Sequence, residues 1–136
     1  MKIYVLDAGA VIRYLSNGAG EGKVAVLIQR AVKGEVRLLI SAVNWGEALY
    51  SLAQKAGLDN ARADLKTLSS FVTPVEVREV EAEAAATVRL HYKLGYADCF
   101  AASLAMRMSA TLVTTDPDFL KLGKQLKVLA LPSHSA

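Results

Sequence analysis

Short aliphatic and β-branched runs alternate with longer segments of helical periodicity along this chain, and few architectures accept that alternation. Lys2–Leu6, Val36–Ile40, Thr73–Val77, Thr111–Thr115 and Lys127–Leu131 read as strands. Between them, Ala8–Leu15, Lys23–Lys33, Val43–Ala56, Asp59–Phe71, Glu79–Leu94, Ala97–Ser109 and the short Pro117–Leu122 read as helices. In Lys23–Lys33, for example, Val24, Leu27, Ile28 and Ala31 follow the i, i+3, i+4, i+7 spacing of one apolar face. Gly57 and Gly95 read as helix stops, Asp59 or Asn60 as the cap of the next helix, and the Gly- and Asn-rich Ser16–Gly22 as a loop. Strands that alternate with helices imply a parallel sheet covered on both faces, an α/β/α sandwich. No internal repeat or linker divides residues 1–136, so one domain is expected.

Composition narrows the partners. Hydrophobic residues make up 53% of the chain, 22 of them Ala, a modest surplus that suggests a buried subunit interface. A net charge of +3, spread without any basic run, is compatible with an anionic polymer. Aromatic residues are too few for a stacking platform. Cys99 stands alone, which excludes an intrachain disulfide and suits a reducing compartment. The N-terminus lacks the layout of a signal peptide, and no uncharged apolar run reaches the ~18 residues of a membrane span. A cytoplasmic protein is expected.

Four carboxylates carry the functional information: Asp7, Glu47, Asp98 and Asp116. Asp7 and Asp116 each close a strand, and in a parallel sheet strand C-termini line one edge, where ligands bind. Each acid also has a structural explanation. Asp7 could cap a helix, and Asp116 before Pro117 is a common helix start. Asp98 lies in a first turn, and Glu47 sits three residues after Asn44, like a capping box. Yet Ser, Thr and Asn cap equally well, and two acids on one sheet edge form a pocket that repels itself. Such a pocket calls for a cation or a shared proton. Divalent-metal chemistry on a phosphate substrate follows.

The segments IYVLDAGAVI, SAVNWGEAL, YADCFAASLA and LVTTDPDF, in this order and spacing, resemble the four signature blocks of PIN-domain nucleases, in particular the small VapC-type toxins. The resemblance covers nearly the whole chain. It implies a central parallel sheet and a negatively charged pocket in which Asp7, Glu47, Asp98 and Asp116 are the acids and Thr114 the accompanying hydroxyl. It implies a metal-dependent endoribonuclease using Mg²⁺ or Mn²⁺, leaving a 5′-phosphate and a 3′-hydroxyl. Asp7 and Asp98 are then expected to hold the principal ion, Asp116 to ligate it directly or through water, and Glu47 to hold a second ion or position the attacking water. RNA as substrate, a small cognate antitoxin and a homodimer are the implied partners, and the short chain favours a toxin over a housekeeping RNA-processing nuclease. Two positions depart from the pattern. Gly9 stands where Ser, Thr or Asn often orients the acids, which opens the alternative of a catalytically weak binding domain, and Asn44 stands where Thr is frequent.

Other groups rank lower. Asp118 is a further acid near the last block. His91 reads as a solvated helix residue and His134 as part of the tail; two His and one Cys make no zinc set. Gly18, Gly20 and Gly22 lack the GxGxxG spacing. Trp45 reads as half-buried packing with a possible stacking role, and Met106 and Met108 as core or interface. An aspartate phosphatase of the haloacid dehalogenase type would carry a second acid where Gly9 stands, and a phospho-accepting receiver would need a late-strand Lys where Thr-Thr-Asp stands.

Overall fold

The computed structural model describes residues 1–16 and 21–132. The chain runs β1 (Lys2–Leu6), α1 (Ala8–Leu15), α2 (Glu21–Val32), β2 (Val36–Ser41), α3 (Ala42–Ala56), α4 (Leu58–Leu68), β3 (Val72–Val75), α5 (Glu79–Tyr92), α6 (Tyr96–Arg107), β4 (Thr111–Thr114), a 3-10 segment (Pro117–Gln125) and β5 (Lys127–Ala130). All five strands are parallel, in the order β3-β2-β1-β4-β5. The chain builds outward from β1 to β3, then crosses back to place β4 on the other side of β1. The order therefore reverses between β1 and β4, and the crevice of an open α/β sheet lies at such a point, beyond the strand C-termini.

Side-chain alternation along the strands divides the core into two layers. Tyr4, Leu6, Leu38 and Ile40 pack with Val11, Val24, Leu27, Leu52 and Leu65 from α1 to α4. Val5, Leu39 and Leu112 face the other way and pack with Phe100, Leu104 and Phe119 from α6 and the 3-10 segment. The expected three-layer α/β/α arrangement is thus the observed one. Among the described residues, no helix is long and apolar enough to cross a membrane.

Several boundaries differ from those read along the sequence, each for a local reason. The third strand begins at Val72, which is fully buried and pairs with Leu38, and it ends at Val75. Its Pro74 is tolerated because β3 is an edge strand. Helix α4 is not capped by Asp59 or Asn60. It starts directly from Gly57, whose φ of 87° lets one residue end α3 and begin α4, while Asn60 donates its side-chain amide to Ala56 O at 2.8 Å. Helix α5 ends on Lys93 in the left-handed region, and Gly95 instead precedes α6. The segment after Asp116 is 3-10, runs past Leu122 to Gln125 and is broken at Gly123, whose φ of 53° is non-helical.

Candidate active site

Asp7 ends β1 and caps α1. Its Oδ1 accepts from Ala10 N at 2.8 Å, and its Oδ2 accepts a short hydrogen bond from the Thr114 hydroxyl. Its own amide donates to Val113 O at 3.2 Å, stitching β1 to β4 at the point of reversal. Thr114 Oγ1 in turn accepts from Asp116 N at 2.9 Å. One buried hydroxyl thus fixes Asp7 and the backbone of Asp116 together, 107 residues after Asp7. Asp116 also caps the 3-10 segment, accepting from Asp118 N at 2.9 Å.

Asp98 enters from the first turn of α6. A side chain at position 95 would come within 3.2 Å of its Oδ2, so glycine there leaves room for the carboxylate to fold back. Glu47 enters from α3, held by Asn44, whose Nδ2 donates to Glu47 Oε1 at 2.8 Å and to Ala97 O at 3.1 Å. Both bonds need a donor, which settles the amide orientation and leaves Asn44 Oδ1 buried without a partner. The pair is not a capping box, because the helix cap is Ser41 and Asn44 lies inside α3. Asn44 instead ties the helix carrying Glu47 to the turn carrying Asp98. That role escaped the sequence reading because Ala97 lies 53 residues away.

Position 9 faces the end of β4. A Cβ on Gly9 would lie 2.8 Å from Thr115 Oγ1 and 3.4 Å from Asp7 Oδ1, so a side chain there would force Thr115 to shift. Thr114 supplies the hydroxyl bonded to Asp7.

The other candidates fall away from this edge. His91 is exposed on α5 and donates Nδ1–H to Thr87 O at 2.8 Å. Trp45 packs with Leu49 and Leu65 in a groove between α3 and α4. Met106 and Met108 pack against the second core layer. Gly18, Gly20 and His134 lie outside the described residues.

The acids act on one another. Burial pushes the Asp7 carboxyl up to about 6; the bonds from Thr114 and Ala10 oppose the rise, and the charges of Asp98 and Glu47 add to it. Burial also lifts Asp98 to about 6, reinforced by Asp116, Glu47 and Asp118. Four acids from four chain segments therefore share one field at the sheet edge. Among the described residues, no three acidic, His or Cys side chains close around a single point as a finished metal cage. The donor set nonetheless fits a hard divalent cation, being all oxygen and under mutual repulsion that a positive charge relieves. Mg²⁺ in particular keeps several waters and needs only one or two carboxylates.

Solved structures of similar fold cover almost the whole chain. One is the VapBC2 complex of Rickettsia felis bound to a fragment of its promoter DNA, with TM-score 0.74, 18% identity, and 95% of this chain and 98% of that chain covered. A DNA-bound VapBC of Salmonella typhimurium matches with TM-score 0.73 and 14% identity, over 96% of this chain and 98% of that one. VapC20 of Mycobacterium tuberculosis, described as a sarcin–ricin-loop-cleaving toxin, matches with TM-score 0.69 and 17% identity, over 90% and 95%. No curated protein matches the chain significantly. The PIN domain family matches residues 4–125, from β1 through the 3-10 segment, and the chain belongs to that family of nucleases.

Proposed function

We propose that the chain is a single-domain, divalent-metal-dependent endoribonuclease and the toxin of a VapBC-type toxin–antitoxin pair. The observation that carries this reading is the convergence of Asp7, Glu47, Asp98 and Asp116, from four separate segments, on the edge where the sheet order reverses. Capping accounts for Asp7 and Asp116 but not for Asp98 and Glu47, neither of which caps a helix. Toxin–antitoxin complexes among the solved structures of this fold support a small antitoxin as partner. A lone buried Cys99 suits the cytoplasm.

Asp7 and Asp98 would hold Mg²⁺ or Mn²⁺, with Asp116 bound directly or through water. When bound, the ion supplies positive charge for the phosphate oxygens and acidifies water in its shell. Thr114 holds the Asp7 carboxylate in one orientation. Glu47, anchored by Asn44, accepts the proton of the attacking water or holds a second ion. The water oxygen bonds to phosphorus as the bond to the leaving 3′-oxygen breaks, and that oxygen takes a proton from solvent, giving a 5′-phosphate and a 3′-hydroxyl.

The test is RNA cleavage by the purified protein with Mg²⁺ or Mn²⁺, against EDTA and against Asp98→Asn. Cleavage that survives EDTA, or equal cleavage by Asp98→Asn, refutes the assignment. A second reading, which Gly9 leaves open because the family often carries Ser, Thr or Asn there, is a PIN domain that binds RNA or a partner without cutting it. RNA binding in EDTA with no cleavage in Mn²⁺ would select it.

A further inference from the structure

We propose that Thr115 is a substrate-positioning residue of this site, its hydroxyl occupying the space that a side chain at position 9 would fill and donating a hydrogen bond to a phosphate oxygen of the RNA beside Asp7. The inference rests on the nuclease reading above. Three observations carry it. The point where a Gly9 Cβ would stand is 2.8 Å from Thr115 Oγ1 and 3.4 Å from Asp7 Oδ1, so the two oxygens are at most 6.2 Å apart across it. Thr115 is half-buried, and among the described residues its hydroxyl has no hydrogen-bond partner, unlike that of Thr114 next to it. Finally, Thr115 lies in the bend just after β4, outside the strand ladder, so Thr114 serves the carboxylate while Thr115 is left for something else.

The chemistry suits a phosphate. The acids of this edge are acceptors, and when ionised they offer nothing to an anionic oxygen. A threonine hydroxyl can donate while adding no charge. Its β-branched side chain has few rotamers, so the oxygen is held in place at small entropic cost. Positions 9 and 115 then form an exchangeable pair: one hydroxyl fits the space between them, from either side, and two do not.

The experiment is a set of four variants of the full chain, each followed by steady-state cleavage of one RNA, by Mn²⁺ titration and by thermal melting. Thr115→Val should melt like the wild type, bind Mn²⁺ equally, and lose about tenfold in kcat/KM, as expected for one lost hydrogen bond to a charged oxygen. Thr115→Ser should recover to within about threefold. Gly9→Ser should melt lower than Gly9→Ser/Thr115→Ala, because the double variant removes the 2.8 Å conflict, and the double variant should regain activity that Gly9→Ser lacks. Full activity of Thr115→Val overturns the proposal. So does equal loss in Thr115→Val and Thr115→Ser, which would mean that the residue only packs. A wild type that neither cleaves RNA nor binds Mn²⁺ overturns the nuclease reading itself and the role of Thr115 with it; an active wild type with an indifferent Thr115 overturns the second alone.

Discussion

Asp7→Asn should make the metal-free protein more stable while removing its proposed chemistry. The Asp7 side chain is 5% exposed, and its carboxyl is lifted from 3.8 to about 6. A raised pKa means that the folded protein holds the proton more tightly than the unfolded chain, so stability falls as pH rises through the interval between the two values. For one group with these constants the cost is well under about 1 kcal/mol at pH 4 and about 3 kcal/mol at pH 7.5. Asparagine has no charge to desolvate. Its carbonyl can still accept from Ala10 N, and its amide can donate to Thr114 Oγ1 in place of accepting from it. The variant should therefore be more stable by about 3 kcal/mol at pH 7.5, and the difference should all but vanish near pH 4, where the folded carboxyl is already protonated. Urea unfolding in EDTA at those two pH values measures both. A destabilised variant at neutral pH, or the same difference at both values, would show that burial of this carboxylate carries no such cost.

Added Mg²⁺ should raise the melting temperature of the wild type at neutral pH, by up to about 2.7 kcal/mol in stability at a hundredfold excess over Kd, and EDTA should reverse it. Asp98→Asn should respond far less in the same calorimetric scan. Asn44→Ala should cost about 1–3 kcal/mol in chemical denaturation, because Ala97 O and Glu47 lose their donor, and it should depress cleavage by more than its stability loss explains. Phe119→Ala, at a fully buried position behind Asp116 and Asp118, should cost about 3–5 kcal/mol and lower the melting midpoint steeply.

Much of the fold was legible because its signals are local. Alternating Tyr4, Val5 and Leu6 declare a strand with two buried faces, and the spacing of Val24, Leu27 and Ile28 declares a helix. Strand-end acids were legible for the same reason, since topology alone carries Asp7 and Asp116 to one edge. Boundaries failed where backbone conformation, not side-chain chemistry, made the cap. Gly57 starts α4 without any side-chain bond, so Asp59 and Asn60 drew the eye, and Lys93 adopts the left-handed turn that Gly95 was expected to supply. The support of the site was least legible. Asn44 meets Ala97, and Thr115 meets Gly9, across dozens of residues, and no spacing rule announces such meetings. Gly9 is the instructive case, because its own type does not reveal that Thr115 approaches it.

The bond between Thr114 and Asp7 also sets an order in time. The hydroxyl that orients Asp7 leaves the ribosome 107 residues after Asp7 itself. Until β4 slides in beside β1, the nascent chain has neither Asp116 nor a fixed Asp7, whatever helices have already formed. The proposed site therefore cannot assemble while the stretch between Asp7 and Thr114 is still being made, which leaves an interval in which a protein binding the growing chain could intercept it.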